Sequence, residues 1–204
     1  MKNILHFLLL TITFSLFSQD KITDTIQGTK QNLDEVIVQS IRVKYSSPIT
    51  HSNISKTELS LRNLGQDLPI LLNFLPSVVT TSDAGTGVGY TGIRIRGVSA
   101  QSTNITINGI PFNDTESLGT YWVNLPDFTS SIQSLQVQRG VGTSTNGSGA
   151  FGASINILTD DISEDPYAEI SNSIGSYNTY KNTVKFSTGK INNAFELSGR
   201  LSKI

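Results

Sequence analysis

The stretch that decides the fold of this 204-residue chain is residues 137–159, which read VQRGVGTSTNGSGAFGASINILT. Apolar and polar residues alternate up to Arg139 and again from Ala153, which is the two-residue period of a β-strand. The residues between are mostly glycine, serine, threonine and asparagine, too few of them apolar to form a core element. The stretch therefore predicts two strands joined by a loop that is either a flexible tip or a backbone-rich contact surface.

Two further motifs indicate short strands earlier in the chain. Residues 93–97 read IRIRG, which puts the isoleucines on one side of a strand and the arginines on the other. Residues 104–114 read NITINGIPFND, in which the Asn-Gly pair is a strong turn signal. A capping box at residues 55–58 predicts one short helix. A second helix is predicted from Asp67, with Pro69 in its first turn and an end before Pro76. Two helices and about four short strands form a small α+β unit.

The three strand motifs, taken in chain order, resemble the plug domain of TonB-dependent outer-membrane receptors. In that family the run that corresponds to residues 137–159 reads roughly IEVLRGP…YGxGAxGGxINI. The resemblance covers residues 33–160 and implies a plug inside the lumen of a barrel of about 22 strands. It also implies a location in the outer membrane of a Gram-negative bacterium and energy-coupled uptake of a large polar ligand. A ferric siderophore is the most frequent ligand of such receptors, with cobalamin, haem, other metal chelates and glycans as alternatives.

Composition argues against several other classes of function. The net charge is −1 and only 15% of residues are charged, so no basic surface is predicted for a nucleic-acid partner. Cysteine is absent, which excludes a disulfide framework, a thiol nucleophile and a cysteine metal site. Of the two histidines, His6 lies in a segment expected to be removed, which leaves His51. The sequence therefore predicts no enzyme, no metal site and no cofactor.

Residues 1–18 have the pattern of a secretory signal peptide. Lys2 precedes a largely apolar run over residues 4–17, shorter than the roughly 20 residues of a membrane-spanning helix. A buried N-terminal helix is the weaker alternative. Residues 19–44 are predicted to form a flexible leader, because its first part is polar and without periodicity.

An isolated hydrophobic patch in this leader, LDEVIV at residues 33–38, resembles a TonB box. An accessible extended segment of high strand propensity can add a strand to the sheet of a partner protein. The resemblance implies binding to the periplasmic domain of TonB, whereas the alternative is an ordinary first strand of the domain. The predicted TonB-binding residues are Leu33, Asp34, Glu35, Val36, Ile37 and Val38.

Three arginines of the plug-like strands, Arg94, Arg96 and Arg139, are candidate anchors to a barrel wall. The lumen of a large barrel is polar, and guanidinium groups facing its wall need carboxylate partners there. The resemblance supports this role for Arg96 and Arg139, each of which precedes a glycine in its motif. The alternative is that these are solvated strand arginines.

Three polar loops, at residues 80–90, 112–122 and 143–152, are candidates for a surface that faces a ligand. Their hydroxyl and amide side chains suit a polar ligand, and their aromatic rings could stack on a planar or sugar-like group. The alternative is that Phe112 and Trp122 only anchor a long loop to the core. The predicted ligand-facing residues are Tyr90, Asn113, Tyr121, Trp122 and Asn146.

Residues 167–204 consist of alternating apolar and polar segments separated by turn residues. This pattern is typical of transmembrane β-barrel strands in contact with lipid, although a half-buried antiparallel sheet has the same period. Position after a plug-like domain favours barrel strands. The predicted organisation is an α+β plug domain at residues 45–160 followed by the first antiparallel strands of an incomplete β-barrel, which makes the chain an N-terminal fragment.

A rival function from another class is a secreted β-rich adhesin or glycan-binding module. Export, low charge and alternating strands would fit it as well. It gives no reason for the isolated patch at residues 33–38 or for the ordered run of the three plug-like motifs. Detergent dependence separates the two, because a barrel protein partitions with outer membranes and an adhesin domain does not.

Overall fold

The computed structural model describes residues 41–147, 149–176, 178–192 and 194–204. The predicted signal peptide at residues 1–18 and the predicted TonB-binding patch at residues 33–38 lie outside these ranges. No helix within the ranges has the length and apolar character that crossing a membrane requires.

Two sheets and a separate hairpin form the strand framework. The strands of the described residues are β1 (His51–Ser55), β2 (Val78–Ser82), β3 (Thr91–Ile95), β4 (Thr103–Ile107), β5 (Ile110–Pro111), β6 (Ile132–Arg139), β7 (Ala153–Thr159), β8 (Tyr167–Ile174), β9 (Tyr180–Ser187) and β10 (Ser198–Lys203). The plug sheet has the order β1-β6-β7-β4-β5, and the C-terminal sheet has the order β10-β9-β8. Only β4 and β7 pair in parallel among these strands.

The core lies on one face of the plug sheet. Leu135 and Val137 of β6 share that face with Ile155 and Ile157 of β7, because alternate residues of a strand point to the same side. All four are at most 2% exposed, and burial of each such side chain contributes about 1.5–3 kcal/mol. The two strands predicted within residues 132–159 are thus confirmed. Strand β1 was not predicted, because its sequence, HSNIS, contains a single aliphatic residue.

Two short helices close the apolar face. Helix α1 (Lys56–Arg62) begins with the predicted capping box: Glu58 N donates to the Ser55 hydroxyl while the Glu58 carboxylate accepts from Ser55 N. Helix α2 (Leu68–Leu71) follows the N-cap Asp67, with proline in its first turn as predicted. It ends earlier than the proline at position 76, which the sequence suggested as its limit.

The hairpin of β2 and β3 packs beside these helices. Ile93 and Ile95 are buried and Arg94 is exposed, which confirms the alternation predicted for this motif. The predicted loop at residues 80–90 is shorter than expected, since β2 continues to Ser82 and only residues 83–90 form the turn. Asp67 N donates to Gly87 O at 2.8 Å, so this turn is hydrogen-bonded to the start of α2.

The C-terminal sheet buries its polar face. Lys181, Thr183 and Ser187 of β9 are at most 5% exposed, whereas Ile170 of β8 and Leu201 of β10 are 72% and 76% exposed. The fold is therefore an α+β plug domain followed by antiparallel strands with apolar side chains outside. The third strand of this sheet begins at Ser198, after a β-bridge between Ile191 and Phe195.

Candidate functional site

A buried carboxylate, Asp127, joins the plug domain to the C-terminal sheet. It lies in a turn before β6 with φ +49° and is 1% exposed. Lys181 Nζ is 2.7 Å from one of its oxygens, and Arg200 Nη1 is 2.9 Å from the other. Hydroxyl groups of three further residues also donate to it: Ser130, Thr183 and Ser202. One plug carboxylate is thus bonded to β9 and β10 together.

The charge state of Asp127 follows from these donors. Burial alone would raise the pKa of the Asp127 carboxyl, but hydrogen bonds from Lys181, Ser130 and Ser202 outweigh it and hold the pKa below its ordinary value. Asp127 is therefore ionised at neutral pH. The pair with Lys181 is a fully desolvated ion pair, in which removal of one partner would leave the other charge uncompensated.

A second plug carboxylate, Asp160, makes a similar contact at the end of β7. Its oxygens accept from Lys56 of α1 at 2.6 Å and from Lys185 of β9. Burial would raise the pKa of Asp160, and the two lysines lower it below the ordinary value. A cavity of about 100 Å³ lies between α1, the plug and β8–β9, and it is lined by Lys56, Lys181 and Lys185 with several hydroxyl groups. We call this contact region, from Asp127 to Asp160, the ionic seam.

In the ionic seam the carboxylates lie on the plug and most of the cations lie on the C-terminal strands. The predicted anchors are different residues, three arginines of the plug. Arg94 is exposed on β3. Arg96 adopts φ +57°, and a Cβ on Gly140 would lie 2.7 Å from its Nη1, so that glycine leaves room for the guanidinium. Arg139 donates to Ser52 Oγ at 3.1 Å. No carboxylate within the described ranges pairs with these arginines, so their anchoring role stays a prediction.

Sequence reasoning missed Asp127, Asp160 and the four cations that face them, three of which lie on the C-terminal strands. A usable signal existed: Lys181, Lys185 and Arg200 occupy polar positions of the alternating C-terminal strands. In strands with apolar residues outside, cations on the other side require carboxylates within the lumen. The sequence pattern alone supports that inference, but it does not identify which carboxylate of the plug pairs with each cation.

The predicted ligand-facing residues divide into two groups. Tyr90 and Tyr121 are 66% and 49% exposed. Asn113 instead bonds its loop to β4: it accepts from Ile105 N at 2.7 Å and donates to Thr103 O of that strand and to Leu118 O of the loop. Trp122 and Asn146 are buried, at 3% and 5% exposed. The ligand-facing role of all five stays a prediction, and for the last three the structure gives a role in holding the loops.

Two of the three candidate loops lie at opposite ends of strand β3. The turn at residues 83–90 lies at one end of the β2–β3 hairpin. The loop between β6 and β7 borders the other end of β3, where Arg96 reaches Gly140 and where Gly152 N donates to Ser102 O at 2.8 Å. Strand β3 therefore separates the loop at residues 80–90 from the loop at residues 143–152.

Two buried glutamines that the sequence reading passed over hold residues 41–43, which we call the lead-in segment. Gln136 Oε1 accepts from Val43 N at 2.8 Å, and Gln136 Nε2 donates to Val43 O at 3.0 Å. Gln138 Nε2 donates to Ile41 O at 3.1 Å. The lead-in segment follows directly on the part of the chain that carries the predicted TonB-binding patch.

Comparison with protein families gives one match over most of the described plug. Residues 43–154 match the family model described as the TonB-dependent Receptor Plug Domain. The chain is 29% identical over 147 residues to the probable TonB-dependent siderophore receptor PirA of Acinetobacter baumannii, covering 67% of this chain and 18% of that protein. It is 31% identical over 132 residues to the vitamin B12 transporter BtuB of Vibrio vulnificus, covering 63% and 21%. The chain thus spans about a fifth of the length of these curated relatives.

Solved structures agree on the fold. The ferric yersiniabactin uptake receptor FyuA of Yersinia pestis superposes with a TM-score of 0.56 at 22% identity, covering 77% of this chain and 24% of that one. The siderophore receptor PirA of Acinetobacter baumannii superposes with a TM-score of 0.56 at 25% identity, covering 74% and 24%. The matched proteins are receptors and transporters and not enzymes.

Proposed function

We propose, from the premise that this chain belongs to the TonB-dependent receptor plug family, that it provides the plug and the first wall strands of a receptor in the outer membrane of a Gram-negative bacterium. The receptor takes up a large polar ligand, and a ferric siderophore is the ligand class that relatives such as PirA and FyuA support. Because a vitamin B12 transporter is also similar, a cobalamin-like ligand is the second candidate.

The observation that carries the proposal is the C-terminal sheet. Its polar face is bonded to the plug through Asp127 and Asp160, and its apolar face, with Ile170 and Leu201, is exposed. In water such a face would be an aggregation hazard. Strands of an outer-membrane barrel have this arrangement, with apolar residues against lipid and polar residues towards the lumen.

Energy coupling is the second part of the proposal. Residues 33–38 bind the periplasmic domain of TonB by strand addition, with Val36, Ile37 and Val38 as the strand-forming part. Arg96 and Arg139 contact the barrel wall, and Tyr90 and Tyr121 face the ligand. The plug fills the lumen in the resting state, so that passage requires its rearrangement.

The coupling proposal is tested by strand-breaking substitution in the patch. Val36→Pro removes one backbone donor and should abolish binding of a purified TonB periplasmic domain to the full chain. Gln27→Pro, in the polar part of the leader, is the matched control and should leave binding intact. Equal binding by both variants would contradict the assignment of residues 33–38.

The membrane proposal is tested by fractionation. The receptor that contains this chain, expressed with its own N-terminus, should partition with outer membranes and require detergent for extraction. Recovery from the periplasm without detergent would favour the secreted adhesin or glycan-binding module instead.

A further inference from the structure

The lead-in segment is attached to the plug sheet by side chains and not by a strand ladder. The Gln136 amide pairs with both polar backbone groups of Val43. Between the two residues that the glutamines hold, Arg42 donates to Ser134 Oγ at 2.9 Å, to Ser134 O at 3.0 Å and to Asn156 O at 3.1 Å. Burial lowers the pKa of the Arg42 guanidinium. Three consecutive residues are thus fixed on one polar face of β6 and β7.

The same buried amides hold the loop between β6 and β7. Gln138 Oε1 accepts from Asn146 Nδ2 at 2.8 Å, and Gln138 Nε2 also lies 2.9 Å from Gln136 Oε1. Asn146 O in turn accepts from Asn104 Nδ2 of β4 at 2.8 Å. Gln136 and Gln138 are 2% and 0% exposed. A continuous chain of hydrogen bonds therefore runs from Ile41 through Gln138 to the turn at residues 143–147.

Departure of the lead-in segment would leave this network incomplete. Gln138 Nε2 would lose Ile41 O, and Gln136 would lose both groups of Val43. Each amide would keep one acceptor, Gln136 Oε1 for Gln138 and Asn53 Oδ1 for Gln136, but one N–H of each would lose its acceptor. A buried N–H without an acceptor is unfavourable, and the neighbouring amides would have to rearrange to satisfy it. Gln138 bonds Asn146 directly, so the rearrangement reaches the loop.

We propose that Gln136 and Gln138 form a latch that couples the lead-in segment to the loop at residues 143–147. Tension on the leader acts first on Ile41, then on Arg42 and then on Val43, because that is their order along the chain. Release of these residues loosens the loop, while the apolar face of the sheet stays packed. The proposal rests on the proposed function only for the source of the tension.

Hydrogen exchange on the full chain in detergent micelles tests the latch. Gln138→Met keeps the length of the side chain and removes its amide. We expect exchange of Val43 N–H, Asn146 N–H and Gly147 N–H to accelerate about tenfold or more, the size of effect expected for a lost buried hydrogen bond. Exchange in β7 should be unchanged. Gln133→Met, at an exposed position of the same strand, is the matched control and should exchange like the unaltered chain.

Arg42→Met provides the decisive second variant, because Arg42 contacts the sheet and not the loop. If the segment and the loop are coupled, this variant also accelerates exchange at Asn146 and Gly147. Acceleration confined to residues 41–43 would overturn the coupling. Wild-type exchange at Val43 in Gln138→Met would overturn the latch. If Gln138→Met unfolds the plug and accelerates β7 as well, the result with Arg42→Met alone decides.

Exchange is measured without TonB and without ligand, so it is independent of the proposed function. The proposed function would be contradicted if Val36→Pro bound the TonB domain as the unaltered chain does, whatever the exchange rates are. The latch would be contradicted if Gln138→Met left hydrogen exchange unchanged, whatever TonB binding is. The two failures are therefore distinguishable.

Discussion

The plug sheet and the C-terminal sheet have the same alternation of apolar and polar residues, yet only the plug sheet buries its apolar face. Strands β6 and β7 of the plug sheet are buried on their polar face as well, whereas the C-terminal sheet is buried on its polar face alone. In the plug sheet, Leu135 and Ile155 are buried and their apolar neighbours pack against them. In the C-terminal sheet, Leu201 is exposed, while Lys181 is 3% exposed and bonded to a plug carboxylate. Alternation alone defines two faces of a sheet, and what lies against each face decides which one is buried.

The two regions consequently depend on different interactions. The plug sheet is stabilised by apolar burial, which is non-directional and tolerates small shifts. The ionic seam depends on a few buried charges, which are favourable only when each partner is present. Substitutions should therefore affect the two regions in different ways, and the following predictions test this contrast in order of decreasing effect.

The largest effect is expected at the ionic seam. Asp127→Asn leaves Lys181 buried without a counter-charge, and the free energy of unfolding should fall by about 3–5 kcal/mol. Denaturant titration followed by fluorescence of Trp122, the single tryptophan of the chain, measures this. Asp161→Asn, the same change at an exposed carboxylate, should alter stability by less than about 0.5 kcal/mol. Equal effects of both variants would mean that Asp127 is not a buried partner.

The second-largest loss of stability is expected from a cavity in the plug core. Leu135→Ala removes a fully buried side chain, and stability should fall by about 2–5 kcal/mol. Hydrogen exchange should accelerate throughout β6 and β7, whereas in Asp127→Asn the acceleration should be greatest in β9 and β10. The same exchange pattern in both variants would contradict the separation between the two regions.

A smaller effect is expected from acid. The pKa values of Asp127 and Asp160 are lowered in the fold, so their contribution is fully present above the ordinary carboxyl pKa of about 3.9 and is lost as pH falls through the lowered values. The stability of the unaltered chain should therefore decline below about pH 4. Measured over pH 3–7, Asp127→Asn should decline less steeply. A parallel decline would show that Asp127 is not among the groups responsible.

The smallest effect is expected on the apolar face of the C-terminal sheet. Leu201 is 76% exposed, so in buffer without lipid or detergent Leu201→Ala should change the free energy of unfolding by less than about 0.5 kcal/mol. The comparison with Leu135→Ala uses the same substitution at opposite exposures. A loss as large as that of Leu135→Ala would mean that other protein packs over Leu201.

Local signals in the sequence predicted the elements of the plug well. The capping box at residues 55–58 and the strands of the three motifs depend on interactions between near neighbours, and the structure confirms them. The turn at Asn108-Gly109 is confirmed too, since both residues have positive φ. The capping box does not show which leucines of this segment are buried: Leu59 is 1% exposed, whereas Leu61 and Leu64 are 80% and 64% exposed. A helix of two turns contacts the sheet along one edge only.

The candidate sites were less predictable from the sequence. The family resemblance supports an anchoring role for the motif arginines, whereas Asp127 lies in a turn without a motif. Gln136 and Gln138 occupy the polar positions of an alternating strand, where the pattern alone does not indicate burial. Their burial depends on residues 41–43, which are more than 90 positions away along the chain.

The sequence by itself determined the membership of the plug family, the strand periodicity and the helix starts, because these depend on residue order over short distances. Only the tertiary structure decided which face of each sheet is buried, which carboxylates meet Lys181, Lys185 and Arg200, and which side chains hold the lead-in segment. The physical reason is that a buried charge or amide is stable only beside its partner. That partner is brought near by the fold and not by its position in the chain.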